Sequence, residues 1–183
     1  MDTGCATATV TSVGEARREQ AVAAALELLE QDGETALTMR RLAGQLGIRA
    51  PSLYKHFPNK AALEVALMAE GLRQMGDTLE AAPPDVAGLT RAYRSWALEH
   101  PHLYSLTTGR PLPRDELPSG IEERAAAPVL RVFGDEHSAR AAWAAAHGLA
   151  SLELAGRFPP DADLDARGRR LPPPSIDSVR CSR

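Results

Sequence analysis

Apolar residues recur at helical spacing along most of this chain, and that periodicity limits which folds it can adopt. Within residues 14–32, Val22, Leu26 and Leu29 fall on one side of a helix, with Glu and Arg on the other. The same spacing returns over residues 136–157. No stretch shows the alternation of β-branched and polar residues that is typical of a strand. The sequence therefore predicts an all-α protein.

Capping and breaking residues divide the chain into predicted helices. Thr38 and Asn59 are good N-caps, Gly47 suits a tight turn, and Pro51 suits the first turn of a helix. A proline pair ends the helix that Asn59 begins. The predicted helices cover residues 14–32, 38–46, 51–56, 60–82, 85–99, 101–108, 121–133 and 136–157. Pro128 is expected to kink or shorten the seventh of them.

The net charge of −3 excludes a polybasic protein, so any nucleic-acid contact must come from a local patch. The two cysteines, Cys5 and Cys181, lie near opposite ends without CxxC spacing, which indicates a reducing compartment. Residues 1–13 lack the basic and apolar regions of a signal peptide, and the most apolar later stretch, 141–156, is interrupted by polar residues. A cytoplasmic protein without a membrane segment is expected.

No motif of an enzyme or a metal site occurs in the sequence. It has no G-x-S-x-G, P-loop, dinucleotide-binding or zinc pattern. The candidate metal ligands lack any known ligand spacing. They are His100, His102, His137, His147 and Glu153. Neither catalysis nor a metal or cofactor is predicted.

One segment of the chain is basic, although the net charge of the whole is negative. Residues 35–63 contain no Asp or Glu, although the chain has 24 acidic residues among 183. The basic residues of the segment include both lysines of the chain. They are Arg40, Arg41, Arg49, Lys55 and Lys60. Such a set can be an ordinary solvated surface, but on a DNA-binding pattern it favours contact with phosphates.

The same segment carries the pattern of a helix-turn-helix. Apolar and small residues occur where two short helices must pack, and a glycine occurs in the turn between them. These positions are Met39, Leu42, Ala43, Leu46, Gly47, Ile48 and Leu53. In this motif the second helix is offered to the major groove of DNA.

Residues 35–63, TALTMRRLAGQLGIRAPSLYKHFPNKAAL, resemble the DNA-binding helices of the tetracycline-repressor (TetR) family of bacterial transcription regulators. The likeness covers roughly residues 14–62 and includes the Leu-Tyr-x-His-Phe-x-x-Lys signature that joins the recognition helix to the next helix. Its members here are Leu53, Tyr54, His56, Phe57 and Lys60. Tyr54 and Phe57 also fit a staple between two helices, a role expected of Phe57 more than of Tyr54, whose hydroxyl needs a polar partner.

The resemblance implies a set of DNA contacts in this chain. Phosphate contacts are expected from Thr38, Tyr54 and Lys60. The residues expected to face the groove are Arg40, Arg49, Ala50, Pro51, Ser52 and His56. Arg40 is the expected guanine contact because its fork matches the two acceptors on that base.

The second half resembles the Trp-His-Gly type of carboxy-terminal domain found in one branch of the family. Trp143 is followed by His147 and Gly148, and Trp96 and Tyr104 suit its earlier helices. The resemblance implies a helical bundle with an inducer cavity and a homodimer surface. The expected ligand-binding residues are Trp96, Tyr104, Trp143 and His147. From the residues alone, Trp143 and His147 fit a packed core as well as a cavity wall.

Four regions follow from these patterns. Residues 1–13 are expected to be a flexible extension, 14–62 a helix-turn-helix DNA-binding domain, 63–158 a helical domain for ligand binding and dimerisation, and 159–183 an irregular tail. The tail is rich in proline and arginine, which favours disorder over a second nucleic-acid contact. No final helix is predicted there, so dimerisation weaker than is usual for the family is expected.

The function predicted from the sequence is ligand-responsive transcription regulation, most often repression in this family. The protein is expected to bind a palindromic operator in double-stranded DNA as a homodimer, and to take a small, largely apolar or aromatic effector. Two alternatives remain open. One is a DNA-binding regulator whose second half is vestigial and non-inducible, and the other is a purely structural helical module that binds no DNA.

Overall fold

Eight α-helices make up the fold of the part of the chain that the structure describes. The computed structural model describes residues 5–159, 161, 162 and 164, with side chains from residue 14 onward. The helices are α1 Cys5–Asp32, α2 Met39–Gln45, α3 Ala50–Tyr54, α4 Lys60–Ala81, α5 Val86–Glu99, α6 Pro101–Thr108, α7 Ile121–Phe133 and α8 Glu136–Leu154, with a 3-10 turn at Arg114–Glu116. No strand occurs in these residues, and the all-α prediction is confirmed.

The predicted caps and turns of the first four helices are present. The Thr38 hydroxyl accepts a hydrogen bond from the backbone N–H of Arg41 at 3.2 Å and caps α2. Gly47 has a φ of 65°, which a residue with a side chain rarely adopts. Pro51 lies in the first turn of α3, and the Asn59 side chain accepts from Ala62 N–H at 2.8 Å to begin α4. These local signals place the helix-turn-helix as predicted.

One predicted helix boundary is wrong. Helix α1 begins at Cys5, well before residue 14, because the small residues before Gly14 include no proline and so nothing breaks the helix. Helix α7 spans the predicted range, Ile121–Phe133, so Pro128 does not shorten it; the ring of Pro128 is buried, and its packing offsets the missing hydrogen bond. The predicted irregular tail lies almost wholly outside the described residues, and so does the arginine cluster at 167–170.

Helix α4 connects the amino-terminal helices to the rest of the fold. It packs against α1, α5, α6 and α7. Its contact with α7 is close, because a Cβ on Gly76 would lie 3.1 Å from the Ala125 Cα. One continuous core includes buried side chains along α4, from Leu63 near its start to Leu79 near its end. A displacement of α4 is therefore transmitted to both halves of the protein.

None of the described helices combines the length and the apolar character needed to cross a membrane.

Candidate nucleic-acid interface and effector site

Helices α2 and α3 bury one face each and leave the other exposed. Leu42, Ala43 and Leu53 are at most 3% exposed and join the two helices to the core. The turn between them is fixed by Gly47 and by the bond from Ile48 N–H to Ala43 C=O, at 3.0 Å. The outward face of both helices is thereby held rigidly at one edge of the molecule.

Most of the predicted DNA contacts lie on this outward face. The exposed ones are Thr38, Arg40, Arg49, Pro51, Ser52 and Tyr54. Three others are half-buried at its border: Ala50, His56 and Lys60. All nine residues thus lie in α2, in α3 or in the segments next to them, and none is fully buried, while their individual roles toward DNA remain predictions.

The two aromatic residues at the end of the recognition segment have separate positions. Phe57 is 1% exposed and packs in the core, with the Arg18 guanidinium 5.1 Å from its ring centroid. The burial of Phe57 agrees with the staple expected of it. Tyr54 is 47% exposed, which leaves its hydroxyl-bearing ring accessible from solvent, and its part in the staple stays a prediction.

The charges on this face differ in how far other residues neutralise them. Arg40, Arg49 and Lys55 make no ion pair with any residue that the structure describes. Arg41 turns back to Asp32, at 2.5 Å. Lys60 lies 3.2 Å from Glu64 and donates to the Glu34 C=O at 3.4 Å. The three unpaired cations therefore carry the positive potential of this surface.

The four predicted ligand residues form a continuous series of ring contacts in the second half of the fold, called the aromatic stack below, in which Trp96 meets Tyr104 edge to face. Ring centroids are 6.2 Å apart between Trp96 and Tyr104 and 5.7 Å apart between Tyr104 and His147. His147 is stacked on Trp143, also at 5.7 Å. Helices α5, α6 and α8 each contribute to this stack, which the sequence could not show to be contiguous.

The Tyr104 hydroxyl is the polar centre of the stack. It is hydrogen-bonded to His147 Nδ1 at 2.8 Å and to Ser151 Oγ at 2.9 Å, and it donates to the His147 C=O at 3.2 Å. His147 is therefore a half-buried residue whose ring is already hydrogen-bonded. Trp143 is 47% exposed, so the alternative that it packs in the core is wrong.

A small apolar pocket, partly open to solvent and called the void below, lies beside the stack. Its volume is about 30 Å³, room for about one water molecule. Four helices supply its walls: Leu79 from α4, Val86, Leu89, Thr90 and Tyr93 from α5, Val129 and Phe133 from α7, and Ala142, Trp143 and Ala146 from α8. Of the four predicted ligand residues only Trp143 lines it. The grouping of these walls was not predictable from the sequence, because their faces converge only in the folded bundle.

Tyr93, on the wall of this void, has an unusual hydroxyl. Its side chain is 2% exposed, and the oxygen has no hydrogen-bond partner among the described residues. Burial raises the pKa of this phenol well above its ordinary range, so the group stays neutral. A buried, unpaired hydroxyl costs about 1–3 kcal/mol.

We therefore expect Tyr93→Phe to raise the free energy of unfolding by at least about 1 kcal/mol, because the substitution removes only the unpaired oxygen. Tyr104→Phe is the matched control, because it removes a hydroxyl with three hydrogen bonds and should lower stability by about 1–2 kcal/mol. Urea denaturation followed by circular dichroism measures both. Equal destabilisation by the two variants would show that the Tyr93 hydroxyl is paired.

The histidines considered as metal ligands do not converge on one place. His102 lies against Gly33, and the Glu153 carboxylate is held by Arg94 at 2.5 and 2.6 Å. These bonds from Arg94 hold the pKa of Glu153 below its usual range. Among the described residues, no three His, Cys, Asp or Glu side chains are grouped as metal ligands.

Two family models match the chain, one in each half. Residues 21–67 match the model for bacterial regulatory proteins of the tetR family. Residues 86–171 match the model for the tetracyclin repressor-like, C-terminal domain. The first match contains the outward face of α2 and α3, and the second contains the aromatic stack.

Curated relatives agree with both matches. An uncharacterised HTH-type transcriptional regulator of Mycobacterium tuberculosis, Rv0681, is 36% identical, over 81% of this chain and 75% of that protein. The class D tetracycline repressor of Escherichia coli is 50% identical, but over only 33% of this chain and 28% of the repressor. The strongest identity is thus restricted to a third of the chain.

Solved structures share the fold over most of the chain. The protein SCO4313 has a TM-score of 0.66 at 28% identity, covering 85% of this chain and 92% of that one. BioQ with its natural double-stranded DNA operator has a TM-score of 0.51 at 26% identity, over 76% and 87%. A single-residue variant of TetR from Acinetobacter baumannii, in complex with minocycline, has a TM-score of 0.52 at 26% identity, over 75% and 80%.

Proposed function

The chain belongs to the tetR family of bacterial regulatory proteins, which are DNA-binding transcription regulators and not enzymes, and from that premise we propose a ligand-responsive repressor that binds a palindromic operator as a homodimer. The observation that carries this proposal is the outward face of α2 and α3. Three cations there lack any partner in the described part of the protein, and no acidic residue occurs between residues 35 and 63. A surface of this kind is suited to the phosphates of duplex DNA.

In this proposal α3 enters the major groove. Arg49, Pro51 and Ser52 lie exposed at its start, and Arg40 lies exposed on α2. Phosphate contacts from Thr38, Tyr54 and Lys60 fix the position of the helix, while the groove-facing side chains distinguish bases. The BioQ structure, which contains its operator, supports this mode of binding by similarity.

A homodimer is proposed because one short helix touches too few base edges for specific binding. Two copies place their recognition helices about 34 Å apart, on successive major-groove faces of an inverted repeat. Helix α8 carries three exposed large apolar residues, Trp143, Leu152 and Leu154. We propose that the second copy of the chain covers this helix, because the two-fold symmetry of the operator requires such a partner.

The effector proposed is small, neutral and largely apolar. The void beside Tyr93 and Trp143 is walled by apolar side chains and two hydroxyl-bearing ones, with no ionised group. Ligand sites usually have ten or more times its volume of about 30 Å³, so binding must spread the helices around it. Because Leu79 of α4 is one wall, this movement reaches the DNA-binding half. The neighbouring stack of Trp143 on His147, with Gly148 after it, supports the Trp-His-Gly subtype.

The Acinetobacter baumannii TetR structure, which contains minocycline, supports an effector site by similarity of fold. A thermal-shift screen of small apolar compounds separates the inducible protein from a vestigial second half. Binding must also lower affinity for DNA, because a ligand that prefers neither conformation shifts nothing. If no compound alters either the melting temperature or DNA binding, the non-inducible alternative holds. We place the regulator in the cytoplasm, where its operator is.

Lys60→Ala is expected to weaken binding to all duplex sequences equally and to reduce the slope of log K against log salt by about one unit. Lys60 is the first residue of α4, at the border of the outward face. A contact from there to a phosphate does not depend on the base sequence. Fluorescence anisotropy with a labelled duplex at several salt concentrations measures the slope. An unaltered slope would remove Lys60 from the phosphate contacts.

A further inference from the structure

Four charged residues from three parts of the chain meet beside the start of α4. The Arg110 guanidinium, just after α6, lies 2.5 Å from the Glu34 carboxylate and 3.3 Å from Glu64. Glu64 in turn holds Lys60, at 3.2 Å. The Glu64 side chain is only 15% exposed, so little solvent competes for it. Arg110 and Lys60 thus share a single carboxylate, one on each oxygen.

Arg110 reaches this position because α6 is fixed at both ends to the end of α1. At its start, the Glu30 carboxylate accepts hydrogen bonds from the backbone N–H groups of Leu103 and His102, at 2.8 and 3.3 Å. At its end, Arg110 reaches Glu34 in the loop after α1. The distance between Arg110 and Glu64 therefore depends on where α6 lies relative to α1 and α4.

We propose that Arg110 is a positioning residue for DNA binding, which keeps the Lys60 ammonium available to a phosphate by sharing the charge of Glu64. This inference depends on the DNA-binding function proposed above. With Arg110 in place, two cations balance two carboxylates. Without it, the Glu34 carboxylate loses its cation, Glu64 is paired with Lys60 alone, and the net charge of the cluster becomes negative. Phosphate must then displace Lys60 from its protein partners.

The arrangement also explains how an element outside the helix-turn-helix acts on a DNA contact. Any displacement of α6 that moves Arg110 away from Glu64 leaves the Glu64 carboxylate paired with Lys60 alone. The position of α6 then changes the phosphate contact of Lys60, without a change in the recognition helix itself.

The test uses the full chain and a fluorescein-labelled duplex of mixed sequence, because a phosphate contact needs no operator. Arg110→Gln is expected to lower affinity several-fold and to reduce the salt slope by about one unit, as Lys60→Ala does. Glu64→Gln should raise affinity several-fold. In the Lys60→Ala background, Arg110→Gln should cause no further change in slope.

Arg114→Gln is the matched control, since it removes the same charge from the same connection but from a residue paired with Glu122. It should leave the slope unchanged. Arg110→Lys keeps the charge and should restore most of the lost slope even where Arg110→Gln lowers the melting temperature. An unchanged salt slope in Arg110→Gln would overturn the positioning role. So would a double variant in which Arg110→Gln lowers the slope by a further unit beyond Lys60→Ala. If the wild-type protein itself binds no duplex, the proposed function fails instead.

Discussion

Replacing Phe57 by alanine is expected to destabilise the protein by about 3–5 kcal/mol. Phe57 is among the largest side chains that are fully buried, and it lies at the junction of α3 and α4. Alanine would leave a cavity that the surrounding leucines cannot fill and would remove the contact with Arg18. Because stabilities of small proteins total about 5–15 kcal/mol, this loss is a large fraction of the whole.

Chemical denaturation followed by circular dichroism measures this loss, and DNA binding should disappear with it. Phe133→Ala is the matched control: the same atoms are removed from a half-buried residue beside the void, so a markedly smaller loss is expected. If the two variants are equally stable, Phe57 does not hold the recognition helix, and the packing assigned to it is incorrect.

Replacing Arg40 by alanine is expected to relax sequence preference at one base-pair position, by about 1–3 kcal/mol. Arg40 is exposed on α2 and has no ion pair among the described residues, so its guanidinium is available to the two acceptors of a guanine. Loss of a bidentate contact removes discrimination at that base and leaves the other positions as they were.

Competition binding against an operator and its single-base variants measures the effect. Arg41→Ala is the control on the neighbouring residue, whose guanidinium is paired with Asp32. It should leave the base preferences intact. Unchanged discrimination at every position in Arg40→Ala, or the same relaxation in Arg41→Ala, would refute the assignment.

Local chemistry explains why so much of the fold could be predicted. Thr38, Gly47, Pro51 and Asn59 each act within three or four residues, and each has in the structure the local role that its residue type favours. The start of α1 was not predictable in this way, because the small residues before Gly14 give no periodicity although they tolerate a helix.

Features that depend on long-range packing could not be read from the sequence. Periodicity places Trp143 on a helix face but does not say whether another helix covers that face, and in the structure it is 47% exposed. The unpaired hydroxyl of Tyr93 and the charge cluster around Arg110 depend on segments that are far apart in the chain.

Selection of bound DNA from a random pool by the purified protein shows whether the chain recognises an operator as a dimer. We expect enrichment of an inverted repeat whose half-site centres are about one helical turn, roughly 34 Å, apart. Enrichment should also weaken as salt is raised. A pool that stays random at low ionic strength, or enrichment of a single unrepeated half-site, would contradict a dimer that places the outward faces of α2 and α3 on duplex DNA.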